Sequence, residues 1–484
     1  MLAWLAVLSA IAILPIVVVR LPPILDYPNH MARMHVLSAL DHAPALARYY
    51  VVAWSPIPDL GADIVVPVIA AVMPVEDAMR LFLGLVLLGL ATGCVALHRV
   101  AFQRWSLWPL TGFLLLYNRM LLWGFLNYLA GLALALWGLA AWVALERKPV
   151  WRLIVGSALA TAIYLAHLAA FGCYALAVLA YSCAPLNRRR AGRVLLPAVT
   201  TLVPPAAMFL TSPTSGAPIG FGYGNILRKL DLPVSIFDNY WRPFDATTFA
   251  ALLIAVILGL WRGGIGLHPR LRWSLIAVIA AYVALPSRLL SASGIDHRLP
   301  VAVAFLLVAV SDWQPIGHRR RRMIAGALLL LFLIRMAVIG HVWLRADRQY
   351  EALLPAFDRI PNGATLAVAA PAAAVQAGGA PLLHFPTLAV IKRDAFVPTL
   401  FADKLQQPVH FTDAALKLAS EAQPEMLWKS AAAGTLPRLS GYDYLMILDP
   451  PHPFERNTAP GAILFVSPRL ILIRLTAPQA DSKQ

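Results

Sequence analysis

Long apolar runs, interrupted by short polar and basic loops, dominate the chain from Leu2 to Val342. Each run is a nearly continuous series of Leu, Ala and Val, whereas the strands of a membrane β-barrel alternate over ~10 residues. A helix needs about 20 apolar residues to cross a hydrocarbon core of ~30 Å, and several runs approach that length. The pattern therefore predicts an all-α polytopic membrane domain.

The predicted number of spans depends on whether the segment Leu153–Cys183 crosses the membrane once or twice. As one helix it would reach ~46 Å at 1.5 Å per residue, too long for one upright span and too short for two full ones. Basic residues flank it on both sides and favour the cytoplasm, so we predict a hairpin of two short helices that turns near Ala166–Gly172. With this hairpin, eleven spans are expected. The others are Leu2–Val19, Val75–Leu97, Leu107–Leu116, Leu121–Leu145, Val194–Leu210, Thr247–Leu260, Trp273–Leu290, Leu299–Val310 and Met323–Val342.

The last part of the chain, Leu344–Gln484, is polar and mixed in character. Its ~140 residues are enough for a core of their own, so we predict a transmembrane domain over residues 1–343 and a small α/β domain over 344–484. With the N-terminus inside, the Arg-rich loops lie in the cytoplasm, and the α/β domain and the first loop, residues 20–63 with interfacial helices, lie outside it. Strands are predicted at Thr365–Ala369, Leu388–Ile391, Tyr444–Leu448, Ile463–Val466 and Leu470–Leu475.

Composition narrows the class of protein. The chain has 484 residues, of which 60% are hydrophobic and 13% charged, and its mean hydropathy is +0.70. Ordinary soluble domains are about 45–50% apolar and about 25% charged, so a soluble enzyme is excluded. The net charge of +16 sits mostly in short loops, where it sets orientation, and no nucleic-acid partner is expected. The usage of Ala, Arg, Leu and Pro indicates a bacterial protein, which places the chain in the inner (cytoplasmic) membrane.

Candidate chemistry begins in the first loop, in the stretch Leu21–Arg33. Asp26 follows the first span and is flanked by prolines that stiffen the backbone. Asn29, His30 and Arg33 then begin a helix. A carboxylate held at a membrane surface can act as general base on an acceptor hydroxyl. The alternative is an ordinary loop in which Asp26 caps the helix.

Other polar residues lie where substrate binding is plausible on chemical grounds. His167 lies at the predicted hairpin turn, and intramembrane histidines are often functional, although a core His bonded to the backbone is the alternative. His297 and Arg298 begin a span, and a guanidinium there could bind a phosphate or form a salt bridge with Asp296. His384 and His410 lack metal spacing and are predicted to be surface residues.

The layout resembles the type C glycosyltransferase (GT-C) superfamily over about residues 1–360. The resemblance rests on an acid after the first helix and on the Pro-rich run Pro56–Asp63 before an interfacial helix. It implies that Asp26 is the catalytic acid and that the donor is a sugar on polyprenyl phosphate. We predict substrate-binding roles for the following polar residues: Asn29, His30, Arg33, Asp59, Asp63, His167, His297 and Arg298.

The function expected from these features is a membrane glycosyltransferase. It would move a sugar from a lipid-linked donor to an envelope lipid, glycan or protein acceptor. No cofactor is assigned, and a divalent metal stays open because many GT-C members carry paired acids where this chain has Asp26 alone. The alternatives are a transporter or flippase for lipids or solutes, and a non-catalytic envelope assembly factor. Transporters often show inverted repeats, and none stands out here.

Overall fold

The computed structural model describes residues 1–184, 191–217, 220–290, 292–314, 317–371, 380–451 and 459–476. The chain is mostly helical and divides into two compact units. The first unit contains Met1–Val18, Ser55–Ala62 and Arg80–Val342. The second contains Val19–Trp54, Asp63–Met79 and Trp343–Gln484. Most of the first loop therefore belongs to the unit that holds the C-terminal segment. Arg188, Arg189 and Arg190, which follow the predicted hairpin, lie outside the described residues.

The α-helices follow the apolar runs closely. In chain order they are α1 Leu2–Val18, α2 Tyr27–Ala39, α3 Pro44–Ala47, α4 Gly61–Ala70, α5 Val75–Phe102, α6 Arg119–Trp123, α7 Leu126–Ala144, α8 Pro149–Ala166, α9 Leu168–Cys183, α10 Ala191–Thr211, α11 Arg228–Asp231, α12 Arg242–Trp261, α13 Leu271–Ala284, α14 Ile295–Val310, α15 His318–Leu353, α16 Leu388–Arg393, α17 Asp413–Glu421 and α18 Pro424–Ala432.

The strands are short. They are β1 Tyr50–Val52, β2 Gly220–Gly222, β3 Ile265–Leu267, β4 Arg288–Leu290, β5 Ala292–Ser293, β6 Ser311–Trp313, β7 Leu366–Ala369, β8 Val409–Phe411, β9 Tyr444–Leu448, β10 Gly461–Val466 and β11 Leu470–Leu475.

Within the described residues, five helical segments are long and apolar enough to cross a membrane: Val75–Phe102, Leu126–Ala144, Pro149–Ala166, Arg242–Trp261 and His318–Arg359. Shorter apolar helices accompany them, at Leu2–Val18, Gly61–Ala70, Leu168–Cys183, Leu195–Thr211 and Leu271–Ala284. The chain thus has the character of a membrane protein, while the count of eleven spans stays a prediction.

Three of the predicted spans differ from the structure. Trp273–Leu290 is helical only as far as Ala284, because Pro286 disfavours the helical conformation of Leu285, and Arg288–Leu290 forms strand β4. Leu107–Leu116 contains the 3₁₀ helix Trp108–Leu115, which at ~2.0 Å per residue is too short to cross a bilayer. Leu121–Leu145 is divided into α6 and α7 at Gly124, whose φ of 97° ends α6 in the left-handed region. A glycine adopts this conformation without steric penalty, and the chain can therefore change direction there.

The predicted helical hairpin is present. It consists of α8 and α9, and the single residue between them, His167, has extended backbone angles. Helix α7 packs against both helices of the hairpin. A Cβ added at Gly131 of α7 would lie 2.8 Å from the Cβ of Ala170, so this glycine is needed for the close approach to α9. Small residues at such contacts are typical of helix packing in membranes.

The second unit contains a four-stranded sheet with the order β10-β11-β9-β7. Strands β7 and β9 are parallel, with Leu366 opposite Tyr444, and the remaining pairs are antiparallel. Every residue of β7 and β9 is buried, which explains why both read as continuous apolar runs. Four of the five predicted strands are confirmed. The fifth prediction, Leu388–Ile391, is wrong because this run forms α16, which packs against α2. Short apolar runs do not distinguish a strand from a buried helix.

Candidate functional site

Asp26 lies at the N-cap position of α2, but its side chain makes no capping hydrogen bond. Instead, its Oδ1 lies 3.3 Å from Nε2 of His384, within the same unit. The Asp26 side chain is 20% exposed and that of His384 is 12% exposed. The loop alternative, in which Asp26 serves as a helix cap, therefore does not describe this carboxylate. The prediction of a surface position for His384 is wrong, because Asp26 and the ring of Phe401, 5.0 Å away, cover its imidazole.

Asn29 fixes the tautomer of His384. Its Oδ1 accepts a hydrogen bond from the Phe401 N–H at 2.8 Å, and its Nδ2 donates to the Thr399 carbonyl at 2.7 Å. The amide orientation is thereby set, and the same Nδ2 donates to Nδ1 of His384 at 3.0 Å. Nδ1 is then an acceptor, so the imidazole proton sits on Nε2, which faces Asp26. Asn29 is buried, which suits the positioning of His384 better than direct contact with a substrate.

His30 is buried one turn into α2, and its ring meets Phe401 edge-on at 5.7 Å between centroids. Phe401 thus contacts both histidine rings of this cluster. His30 is thus linked to His384 through Phe401, on the helix that Asp26 precedes.

Arg33 and Asp63 pair with each other inside the second unit. Nε of Arg33 lies 2.7 Å from Oδ1 of Asp63, and Nη2 lies 2.9 Å from Oδ2. Both side chains are 0% exposed. Both oxygens of the Asp63 carboxylate thus have a partner inside the unit, which indicates that the pair stabilises the fold. Substrate binding by these two residues stays a prediction.

In the first unit, the residues before α4 are attached to the break between α8 and α9. The backbone N–H groups of Asp59 and Leu60 both donate to the Leu165 carbonyl, at 3.2 and 2.7 Å. Asn127 of α7 donates to the Asp59 carbonyl at 2.6 Å and accepts from the Ala62 N–H at 2.7 Å. Asp59 has a φ of 121°, a conformation that costs a non-glycine residue about 1–3 kcal/mol and is commonest at functional sites.

Arg298 lies in the first turn of α14 and is buried. Its guanidinium carbon lies 4.5 Å from the ring centroid of Phe125, and its Nη1 donates to the Gly294 carbonyl at 3.1 Å. The Asp59 and Asp296 carboxylates both interact electrostatically with it. Tyr128 donates its hydroxyl proton to the Arg298 carbonyl at 2.6 Å, which fixes this turn against α7.

The two other predicted residues of the first unit lie beside these groups. His167 caps α9, because its Nδ1 accepts from the Ala169 N–H at 3.0 Å, and its ring lies 5.4 Å from Tyr128. It also interacts electrostatically with Arg298. The His297 ring lies 5.5 Å from that of Trp123. The first unit therefore brings together Asp59, His167, His297 and Arg298, and the second brings together Asp26, Asn29 and His30 with His384.

Sequence reasoning missed the position of His384 beside Asp26. His384 is bounded by Pro381, Leu382 and Leu383 on one side and by Phe385 and Pro386 on the other. That apolar setting is the signal for a buried imidazole. Its partnership with Asp26 could not be found, since the two residues are more than three hundred positions apart.

The resemblance to GT-C proteins does not determine whether a divalent metal is bound. Among the residues that the structure describes, no group of three or more His, Cys, Asp or Glu side chains is arranged to hold a metal ion. Asp26 has the imidazole of His384 beside it, and Nδ1 of that imidazole already accepts a hydrogen bond from Asn29. These donors do not fit a metal site, and no step is assigned to a metal.

Comparison of the chain with profiles of known protein families, with curated proteins and with solved structures found no match.

Proposed function

We propose that this protein is a membrane glycosyltransferase of the GT-C type. It transfers a sugar from a polyprenyl-phosphate carrier to a hydroxyl-bearing acceptor outside the cytoplasm. The observation that carries the proposal is the Asp26 carboxylate, which is partly exposed, makes no capping bond and lies 3.3 Å from Nε2 of His384. A fixed carboxylate with access to solvent is what general-base catalysis requires.

The reaction balances without a cofactor. The acceptor oxygen attacks the anomeric carbon, the bond from that carbon to the phosphate oxygen breaks, and polyprenyl phosphate leaves with the bonding electrons. Asp26 takes the acceptor's proton. His384, held by Asn29, is a positioning residue, because its N–H keeps the carboxylate in one orientation during the attack.

Arg298 is proposed to bind the donor phosphate. Its planar group of N–H donors matches phosphate oxygens, and a buried cation stabilises the charge that develops on the leaving group. Arg298→Ala should weaken donor binding by about ten- to a hundredfold, because one charge-assisted hydrogen bond contributes ~1.5–3 kcal/mol. Arg298→Lys should recover only part of that affinity. Arg242→Ala is the matched control, since Arg242 is 62% exposed in the same unit. Equal donor affinity in both Ala variants would remove Arg298 from the site.

The orientation is part of the proposal. Eleven crossings of the inner membrane would place the segment after Leu344 outside the cytoplasm. A phosphatase fused after Leu344 should then be active, and a reporter that needs the cytoplasm should be silent. The reverse pattern would show an even number of crossings.

The deciding experiment incubates purified protein with labelled polyprenyl-phosphate sugars and envelope lipids. Asp26→Asn should lower transfer by ~10²–10⁴-fold with donor binding retained, because the amide keeps the size but accepts no proton. Asp358→Asn is the control, since it makes the same chemical change on a side chain that is 73% exposed in the same unit. Transfer that persists in Asp26→Asn but is lost in His30→Ala would move the base to His30.

A further inference from the structure

A cavity of about 270 Å³ lies in the first unit, and its lining includes none of the residues assigned to transfer. It is bounded by Arg104 and Trp105 after the end of α5, by Asp312 after the end of α14, and by Arg321 in the first turn of α15. Small-molecule sites start near ~300 Å³, so the space suits a headgroup-sized ligand. Since α5 and α15 are long enough to cross a membrane, the cavity lies at helix ends, where lipid headgroups are found.

Among the described residues that line the cavity, Asp312 supplies the carboxylate, and this group is already engaged. Oδ2 of Asp312 lies 2.9 Å from Nε and 2.7 Å from Nη2 of Arg104, and Oδ1 accepts from the Ser106 hydroxyl at 2.9 Å. Nε2 of His98 lies 3.4 Å from Oδ2. Burial alone raises the pKa of Asp312, but the hydrogen bonds from His98, Arg104 and Ser106 outweigh it and lower the pKa to about 2. The carboxylate is therefore charged and neutralises Arg104.

Arg321 is different from Arg104. Its guanidinium makes no hydrogen bond or ion pair with any residue in the part of the chain that the structure describes, although it is half-buried in the cavity wall. Its donors are thus available to an oxygen-rich ligand. The neighbouring Trp105 is 56% exposed, and the Arg99 guanidinium lies 5.3 Å from its ring. Exposed Trp beside Arg is typical of the level at which lipid headgroups meet water.

We propose that this cavity binds a phosphate group, with Arg321 as the principal ligand and Arg104 held beside it by Asp312. The volume, the surplus of positive charge and the position at helix ends support an anionic phospholipid headgroup as the source of that phosphate. Free inorganic phosphate offers the same oxygens. The site is separate from the proposed glycosyl-transfer residues, so its test does not depend on transfer activity.

The experiment measures lipid retention by the purified full-length protein with native mass spectrometry. Phosphatidylglycerol is compared with a diacylglycerol that has the same acyl chains and lacks the phosphoglycerol headgroup. Wild type should retain phosphatidylglycerol in preference, and Arg321→Gln should lower that affinity by about ten- to a hundredfold, the effect of losing one charge-assisted contact. Arg319→Gln is the control, because it removes the same charge ~200° around α15.

A second arm adds inorganic phosphate to protein in plain detergent and follows thermal stability against chloride at equal ionic strength. Protection that disappears in Arg321→Gln but not in Arg319→Gln would support the phosphate site with free phosphate as its source. Equal retention of the two lipids by wild type, together with no response to phosphate, would overturn the proposal. So would equal losses in both Arg variants. If Arg321→Gln did not fold, the wild-type comparisons would still decide between these outcomes.

Discussion

Removing one partner of the buried Arg33–Asp63 pair should destabilise the second unit strongly. The pair is bidentate, at 2.7 and 2.9 Å, and neither side chain reaches solvent. Asp63→Leu leaves a buried guanidinium without its counter-charge, which typically costs about 3–5 kcal/mol. Folded domains are stable by only about 5–15 kcal/mol, so the loss would take a large share of the total. Arg33→Met should have a similar effect.

The double variant Arg33→Met/Asp63→Leu separates the possible roles of the pair. Apolar replacement of both partners removes the isolated charge, so stability should recover to near the wild-type value, as buried pairs commonly allow. Unfolding of the purified protein by denaturant, followed by tryptophan fluorescence, gives the four free energies of a double-mutant cycle. A single variant that loses less than about 1 kcal/mol would refute the reasoning, since so small a loss is typical of exposed pairs. If the double variant folds but does not transfer sugar, the pair also serves the substrate.

Three further predictions concern other parts of the chain. His384→Ala should lower kcat by roughly 10²-fold and leave the donor KM unchanged, because Asp26 loses the group that orients it; a change in KM alone would contradict this. The pKa of Asp312 is about 2 in the folded protein and ~3.9 in the unfolded chain. The stability that Asp312 contributes is therefore present above pH ~4 and is lost as the pH falls toward 2. Acid-unfolding curves of Asp312→Asn should lack this pH-dependent loss of stability. Gly131→Ala should destabilise by about 1–3 kcal/mol through overpacking, whereas Gly84→Ala, with nothing within 4 Å of the added Cβ, should not.

The helices of the fold were largely readable from the sequence. Apolar run length gives the position of a helix, and the arithmetic for Leu153–Cys183 led to the break that the structure has at His167. The prediction was wrong at Leu107–Leu116, because the composition of this ten-residue segment does not distinguish a 3₁₀ helix from an α-helix. It also failed at Leu388–Ile391, because a four-residue run has no period to measure. In both cases tertiary packing determines the secondary structure.

The candidate site was predicted only in part. Asp26 stood out because prolines and polar residues surround it, a local feature of the sequence. No such polar, proline-rich surroundings single out His384 in the sequence. Its role follows from a hydrogen-bond network that includes Asn29 and the backbone of Thr399 and Phe401. Contacts between distant segments depend on the fold, so neither residue carries a local signal of the other.

The hydrogen bonds between Asp59 and the α8–α9 hairpin can form only after the hairpin has been synthesised. The acceptor of the Asp59 backbone N–H, the Leu165 carbonyl, lies about a hundred residues further along the chain. At a synthesis rate of ~5–20 residues per second, the ribosome needs roughly 5–20 s to deliver it. Until then the backbone N–H groups of Asp59 and Leu60 lack the acceptor that they share in the folded protein. The loop therefore gains this pair of hydrogen bonds late in biogenesis, after the end of α8 has been made.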